Sequence, residues 1–145
     1  IDDDKDYLEL LNEALEGNFN VKCASNLAEA ESILSNNELF DIALVDENIG
    51  DEKGSQWIKT KVEEHTVATS FVLYSGLATE DAILKGLECG ADDFLAKPIS
   101  LLALNNKLKK LISYQNKIHS FETEICSKDR VINVSIDISN VPGID

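Results

Sequence analysis

Three apolar runs in this sequence each end in one polar residue of a type that can handle a phosphoryl group. Asp46 closes Asp41-Ile42-Ala43-Leu44-Val45, Ser75 closes Phe71-Val72-Leu73-Tyr74, and Lys97 closes Phe94-Leu95-Ala96. Three further carboxylates, Asp2, Asp3 and Asp4, follow Ile1. A strand that ends in a lone polar residue delivers that side chain to the carboxyl edge of its sheet, where open α/β sheets bind ligands. If the strands are parallel, carboxylates, a hydroxyl and an ammonium meet at one edge. That set suits a divalent cation and a phosphoryl group.

The elements that must position these groups are legible from periodicity. Tyr7, Leu8, Leu11, Ala14 and Leu15 follow helical spacing, and Gly17 stops the run. Phe19–Cys23 alternates as a strand would. Asn26, with Glu29 three residues later, resembles a capping box ahead of Leu27, Ala30, Ile33 and Leu34. Residues 41–45 are apolar on consecutive positions, as a strand covered on both faces would be. A helix carrying Trp57, Ile58 and Val62 follows Gly54. Next come the strand at 71–74, a helix over 79–89 ended by Gly90, the short strand 93–96 and a long helix from Ser100. Strands alternating with helices of this length predict a parallel α/β sheet. With a first strand ahead of Asp2 largely missing from the sequence, the expectation is a flavodoxin-like (βα)5 doubly wound sheet of strand order 2-1-3-4-5.

After about residue 113 the character changes. Residues 113–130 are polar and extend the last helix, and Ile132, Val134, Ile136 and Ile138 then alternate with polar residues in a half-buried strand pattern. The expected division is therefore a domain over 1–112 and a helical connector with a strand-like tail over 113–145. Leu104, Leu108, Leu111 and Ile118 lie near a helical seam that could continue as a signalling helix or pair in a homodimer.

Composition narrows the class. The chain has 145 residues, 43% of them hydrophobic, enough for one domain with a real core. Thirteen basic against 27 acidic residues leave a net charge of −14, which repels a polyanion and disfavours direct nucleic-acid binding. No apolar stretch approaches the ~20 residues of a membrane-spanning helix. Cys23, Cys89 and Cys126 are odd in number and widely spaced, so they read as reduced thiols in a cytoplasmic protein. The chain has no methionine, and the expectation is that it is a piece of a longer product.

Taken together, these pieces resemble the receiver domain of two-component response regulators from Ile1 to about Ile112. Asp2-Asp3 matches the family's acidic pair and Asp46 its phosphoacceptor, with Asn48 two residues on. Ser75 matches the Thr/Ser of the fourth strand and is followed by the small Gly76. Gly90-Ala91-Asp92-Asp93-Phe94-Leu95-Ala96-Lys97-Pro98 closely copies the strand-five signature. Asp3, Asp46, Ser75 and Lys97 follow in the family's order, separated by 43, 29 and 22 residues. The resemblance implies phosphorylation of Asp46 from a phosphohistidine donor, either a histidine kinase or a histidine phosphotransfer protein in a phosphorelay. It implies Mg²⁺ held by carboxylate oxygens of Asp3 and Asp46, by the Asn48 backbone carbonyl and by Asp2 through water. Ser75, Gly76 and Lys97 would then receive the phosphoryl group, Ser75 and Phe94 would form a conformational switch, and Lys97–Pro98 would be a cis peptide.

The chemistry fits those residue types. A carboxylate attacking phosphorus meets repulsion between two anions, which Mg²⁺ offsets through hard oxygen ligands. Lys97 is a compact charge able to neutralise a phosphoryl oxygen, and positioning with electrostatics is most of what such transfer requires. One competing reading is a haloacid-dehalogenase-like phosphatase, which shares the strand-end Asp, Ser/Thr, Lys and Mg²⁺. Such enzymes carry a second Asp as proton donor where this chain has Asn48. Another is a degenerate receiver serving only as a docking module, against which the intact constellation argues. Asp2-Asp3-Asp4-Lys5 also resembles a protease-cleavage tag, but the helix that follows keeps the family's register. Asp92-Asp93 reads as a solvated turn and Trp57 as packing. Two departures stand out. Ile49-Gly50 replaces a common hydrophobic-proline pair and predicts a looser loop, and the apolar Leu77 leans toward a longer-lived acyl phosphate.

Overall fold

The computed structural model describes residues 1–36, 39–64, 69–77 and 79–127, with side chains of the last helix as far as residue 117. Helix α1 (Lys5–Leu15) starts at Asp4, whose side chain accepts the Tyr7 N–H at 3.1 Å, and turns Leu8, Leu11 and Leu15 inward. Helix α2 (Leu27–Ser35) is capped by Asn26, which accepts the Glu29 N–H at 2.8 Å. Glu29 reaches back to the N–H of Ser25 at 2.7 Å, one residue earlier than the usual box, so two helix-end donors are still satisfied.

Strand β1 (Ile42–Asp46) leads through a small hairpin, β2 (Asn48–Ile49) and β3 (Glu52–Lys53), into helix α3 (Gly54–Glu63). Strand β4 (Ser70–Ser75), helix α4 (Glu80–Glu88), strand β5 (Asp93–Ala96) and helix α5 (Leu101–Ser127) complete the alternation. The strands form a parallel sheet of order β1-β4-β5, with Asp46 opposite Tyr74 and Ser75 opposite Ala96. Gly90 ends α4 at φ 95°, a conformation that only glycine takes without strain.

Both faces of the sheet are covered. One core joins Ala24, Leu27, Ala30, Val45, Trp57, Ile58, Phe71 and Leu73 beneath α2 and α3. The other joins Leu11 and Leu15 of α1 to Leu104 and Leu108 of α5, with Ile42 and Leu44 packed against it. Successive β1 residues alternate between the two cores because strand side chains alternate in direction. Helices on both faces make the doubly wound α/β arrangement expected from the pattern.

The segment Phe19–Cys23, expected as a strand, forms no ladder. The Phe19 N–H donates to Leu15 O at 3.0 Å, and just after the segment the Asp2 N–H donates to the Ala24 carbonyl at 3.1 Å. On the other side Ile1 donates to Leu44 O at 2.8 Å and accepts from Asp46 N at 3.0 Å. The order of segments at this edge is thus 24, 1–2, 42–46, 70–75 and 93–96. Away from Asp2, residues 19–23 border an apolar cavity of about 340 Å³ lined also by Leu11, Ile33 and Leu44. None of Asp2, Asp3, Asp46 and Lys97 lines this cavity.

The chain divides into units Ile1–Ile112 and Ser113–Asp145. Of the second, the described residues continue α5 to Ser127, and the alternating 132–138 segment lies outside the described residues. Among the described residues no helix is long and apolar enough to cross a membrane.

Candidate functional site

The carboxyl edge of the sheet carries an acidic triad. Ligand atoms of Asp2, Asp3 and Asp46 all lie within 4.8 Å of one another. The turn after Ile1 brings in Asp2 and Asp3, and the last residue of β1 brings in Asp46. Asp2 and Asp46 are buried while Asp3 is exposed, so the group opens to solvent on one side. Lys97, just past β5, places its ammonium 3.2 Å from Asp2 Oδ2 and 3.3 Å from Asp46 Oδ1. The Lys97 N–H also donates to the Ser75 carbonyl at 2.8 Å, tying the lysine to the end of β4. The Lys97–Pro98 peptide is cis.

Electrostatics follow from this crowding. Burial, then the nearby Asp2 charge, push the Asp46 carboxyl above its ordinary value, and Lys97 and the Asn48 N–H offset only part of that. Burial works against the Lys97 charge, but Asp46 and Asp2 outweigh it and hold the ammonium above its ordinary value. Three clustered carboxylates, two of them paired with a single lysine, leave excess negative charge, the condition that draws in a cation with hard oxygen preferences.

Comparison with known proteins decides the family. A model of the response regulator receiver domain matches residues 1–109. The chain belongs to the response regulator receiver family. It is 30% identical over 118 residues to the nisin biosynthesis regulatory protein NisR of Lactococcus lactis subsp. lactis, covering 81% of this chain and 50% of that protein. It is 32% identical over 119 residues to the transcriptional regulatory protein AruR of Pseudomonas aeruginosa, covering 77% of this chain and 47% of the relative. The chain thus spans about half the length of these curated relatives. Among solved structures, a CheY-like receiver domain protein from Methanospirillum hungatei JF-1 superposes with a TM-score of 0.71 at 26% identity, covering 80% of this chain and 92% of the other. A response regulator from Thermotoga maritima gives a TM-score of 0.68 at 31% identity, covering 78% and 93%.

This is a receiver domain of a two-component response regulator, a signalling module and not a classical enzyme, and its acidic triad fits a phospho-aspartate site. In this receiver Asp2 sits deep in the site. It is 1% exposed, and its Oδ1 accepts the Asp4 N–H at 2.9 Å. Asn48 donates its backbone N–H to Asp46, and its side chain accepts from Lys53 Nζ. Ser75 is buried at the end of β4 and its Oγ accepts the Leu77 N–H at 3.1 Å, while Gly76 is exposed beside it. Phe94 packs partly buried against the α2–α3 core and against Gly86 of α4. Asp92 is more than a solvated turn, because its Oδ2 accepts the Phe71 N–H at 2.8 Å and secures the start of β4.

The Gly50 loop is not loose. Gly50 has φ 60° and donates its N–H to Asp3 Oδ2 at 2.9 Å. Proline could do neither, since its ring fixes φ near −65° and it has no N–H. Tyr74 and Tyr7 follow strand and helix spacing in the sequence, and both rings border Lys97. The available signal was that a fully buried tyrosine hydroxyl must find a partner, and Tyr74 adjoins Ser75 in sequence.

Proposed function

We propose that Asp46 accepts a phosphoryl group from a phosphohistidine of a cognate histidine kinase or histidine phosphotransfer protein. A carboxylate oxygen of Asp46 forms the new O–P bond as the donor's P–N bond breaks, and that bond's electron pair returns to the imidazole. The observation that carries this reading is the Lys97 ammonium held between Asp2 and Asp46 at the sheet edge. The donor set of Asp2, Asp3 and Asp46 consists of hard oxygens close enough to share one ion, which fits Mg²⁺. Bound Mg²⁺ would neutralise phosphoryl and carboxylate charge, with Asp3 and Asp46 as carboxylate ligands, Asp2 behind them and Asn48 contributing through its backbone.

The chain's own residues do the rest. Lys97 exchanges its carboxylate contacts for a phosphoryl oxygen. The Ser75 hydroxyl turns its proton toward another phosphoryl oxygen, and the exposed Gly76 leaves room for it. Movement of Ser75 reaches Phe94 through the adjacent β4 and β5 strand ends and alters how that ring packs against α4. These steps would convert a local charge change into an altered surface, the switch of the domain.

Incubation with acetyl phosphate and Mg²⁺, followed by mass spectrometry, tests the assignment. One phosphoryl group is expected on Asp46. A group that persists at full yield in Asp46→Asn would refute it. Lys97→Ala is expected to retain some phosphorylation while losing the accompanying conformational change.

A further inference from the structure

Tyr74 occupies a place that the phosphoryl chemistry above does not use. It is fully buried, stands opposite Asp46 in the β1–β4 register, and donates its hydroxyl to Asp2 Oδ2 at 2.6 Å. The same oxygen accepts from Lys97 Nζ at 3.2 Å, so the hydroxyl and the ammonium share one acceptor. The Lys97 ammonium also lies 4.6 Å from the Tyr74 ring centroid and 5.0 Å from that of Tyr7. The two rings stand 6.2 Å apart with a 51° tilt and flank the cation. Cations are held over aromatic faces by the ring quadrupole, most strongly where water is excluded.

We propose that Tyr74 is a positioning residue that sets how tightly Lys97 is bound to the acidic triad. Its hydroxyl takes part of Asp2 Oδ2 away from Lys97, and its ring, with that of Tyr7, offers the ammonium a second resting place. The internal ion pair is thereby kept weak enough for a divalent cation to compete for the carboxylates. Without the hydroxyl, Asp2 Oδ2 belongs to Lys97 alone and the pair that the cation must loosen becomes tighter. The inference rests on the reading of the triad as a Mg²⁺ site.

Tyr74→Phe isolates the effect, because it keeps the ring and almost all of the volume and removes only the hydroxyl. Mg²⁺ alone is titrated into wild type and variant by calorimetry, after melting curves confirm that both are folded. The Mg²⁺ dissociation constant is expected to rise about tenfold in the variant, the scale of one charge-assisted hydrogen bond. With acetyl phosphate, the Mg²⁺ concentration for half-maximal phosphorylation should rise by a larger factor than the maximal rate falls, a split that general loosening of the fold would not produce. Equal Mg²⁺ constants in the two proteins would overturn the positioning role and leave the Asp46 assignment standing. A wild type that neither binds Mg²⁺ nor becomes phosphorylated would overturn both. Tyr74→Leu removes the ring as well and is expected to weaken Mg²⁺ binding further; tighter binding in either variant would also overturn the proposal.

Discussion

Gly54 lies directly against the backbone carbonyl of Asp46. A Cβ at position 54 would collide with that oxygen and stand 2.9 Å from Val45 Cγ1. The Gly54 N–H also donates to Glu47 O at 2.8 Å, so the start of α3 is clamped onto the residue after Asp46. Gly54→Ala must therefore move either α3 or the end of β1. A loss of about 1–3 kcal/mol is expected, the range for forcing added atoms into a packed site. Urea unfolding checks the stability; a shift of β1 carries Asp46 with it and should also lower the yield with acetyl phosphate, whereas a shift of α3 alone should not.

The raised carboxyl of Asp46 implies that its charge opposes stability. Because its folded value lies above its unfolded one, its contribution to stability is present below the ordinary carboxylate range, near about pH 3.9, and is lost as pH rises through the raised value. At neutral pH the charge is a net cost. Asp46→Asn is therefore expected to melt higher than wild type at pH 7, with the advantage shrinking toward pH 4. Melting curves at several pH values without divalent cations measure it, and a variant less stable at pH 7 would contradict the repulsion argument.

Gly50 supplies a second separable test. Gly50→Ala keeps the N–H that holds Asp3 but places a side chain at φ 60°, at a cost of about 1–2 kcal/mol. Gly50→Pro loses the N–H as well as the backbone conformation. Both variants should melt below wild type. The melting-temperature rise on adding Mg²⁺ should survive in Gly50→Ala and shrink in Gly50→Pro, because only the latter releases Asp3.

Glu31 joins α2 to α3 by accepting from Trp57 Nε1 at 2.8 Å and pairing with Lys61 Nζ at 2.6 Å. Burial opposes its charge, but the hydrogen bonds from Lys61 and Trp57 outweigh that and hold the carboxyl below its ordinary value. The stability it adds is present above the ordinary carboxylate value and is lost as pH falls through the lowered one. Glu31→Ala leaves the Trp57 N–H without this acceptor and, with Glu31 half exposed to water, should cost about 0.5–1.5 kcal/mol at pH 7. Indole fluorescence should shift with it, and the cost should diminish in acid.

Strand ends, helix caps and order of elements were legible in the sequence because they depend on local rules. Asn26 caps a helix because its side chain satisfies one of the first free N–H groups, and Gly90 ends a helix because it reaches positive φ. Asp46, Ser75 and Lys97 could be placed at one edge because parallel strands share a carboxyl end. Other properties depended on partners distant in the chain. Phe19–Cys23 alternates like a strand yet forms no ladder among the described residues. Gly50 looked like a loose loop until Asp3, 47 residues earlier, took up its N–H. The hydrogen bond that Asp2 accepts from Tyr74, 72 residues later, likewise lies beyond any local pattern. Residue types settled which charges and donors were available. Tertiary packing decided which of them were buried and paired, because burial and pairing belong to the neighbours that folding brings together.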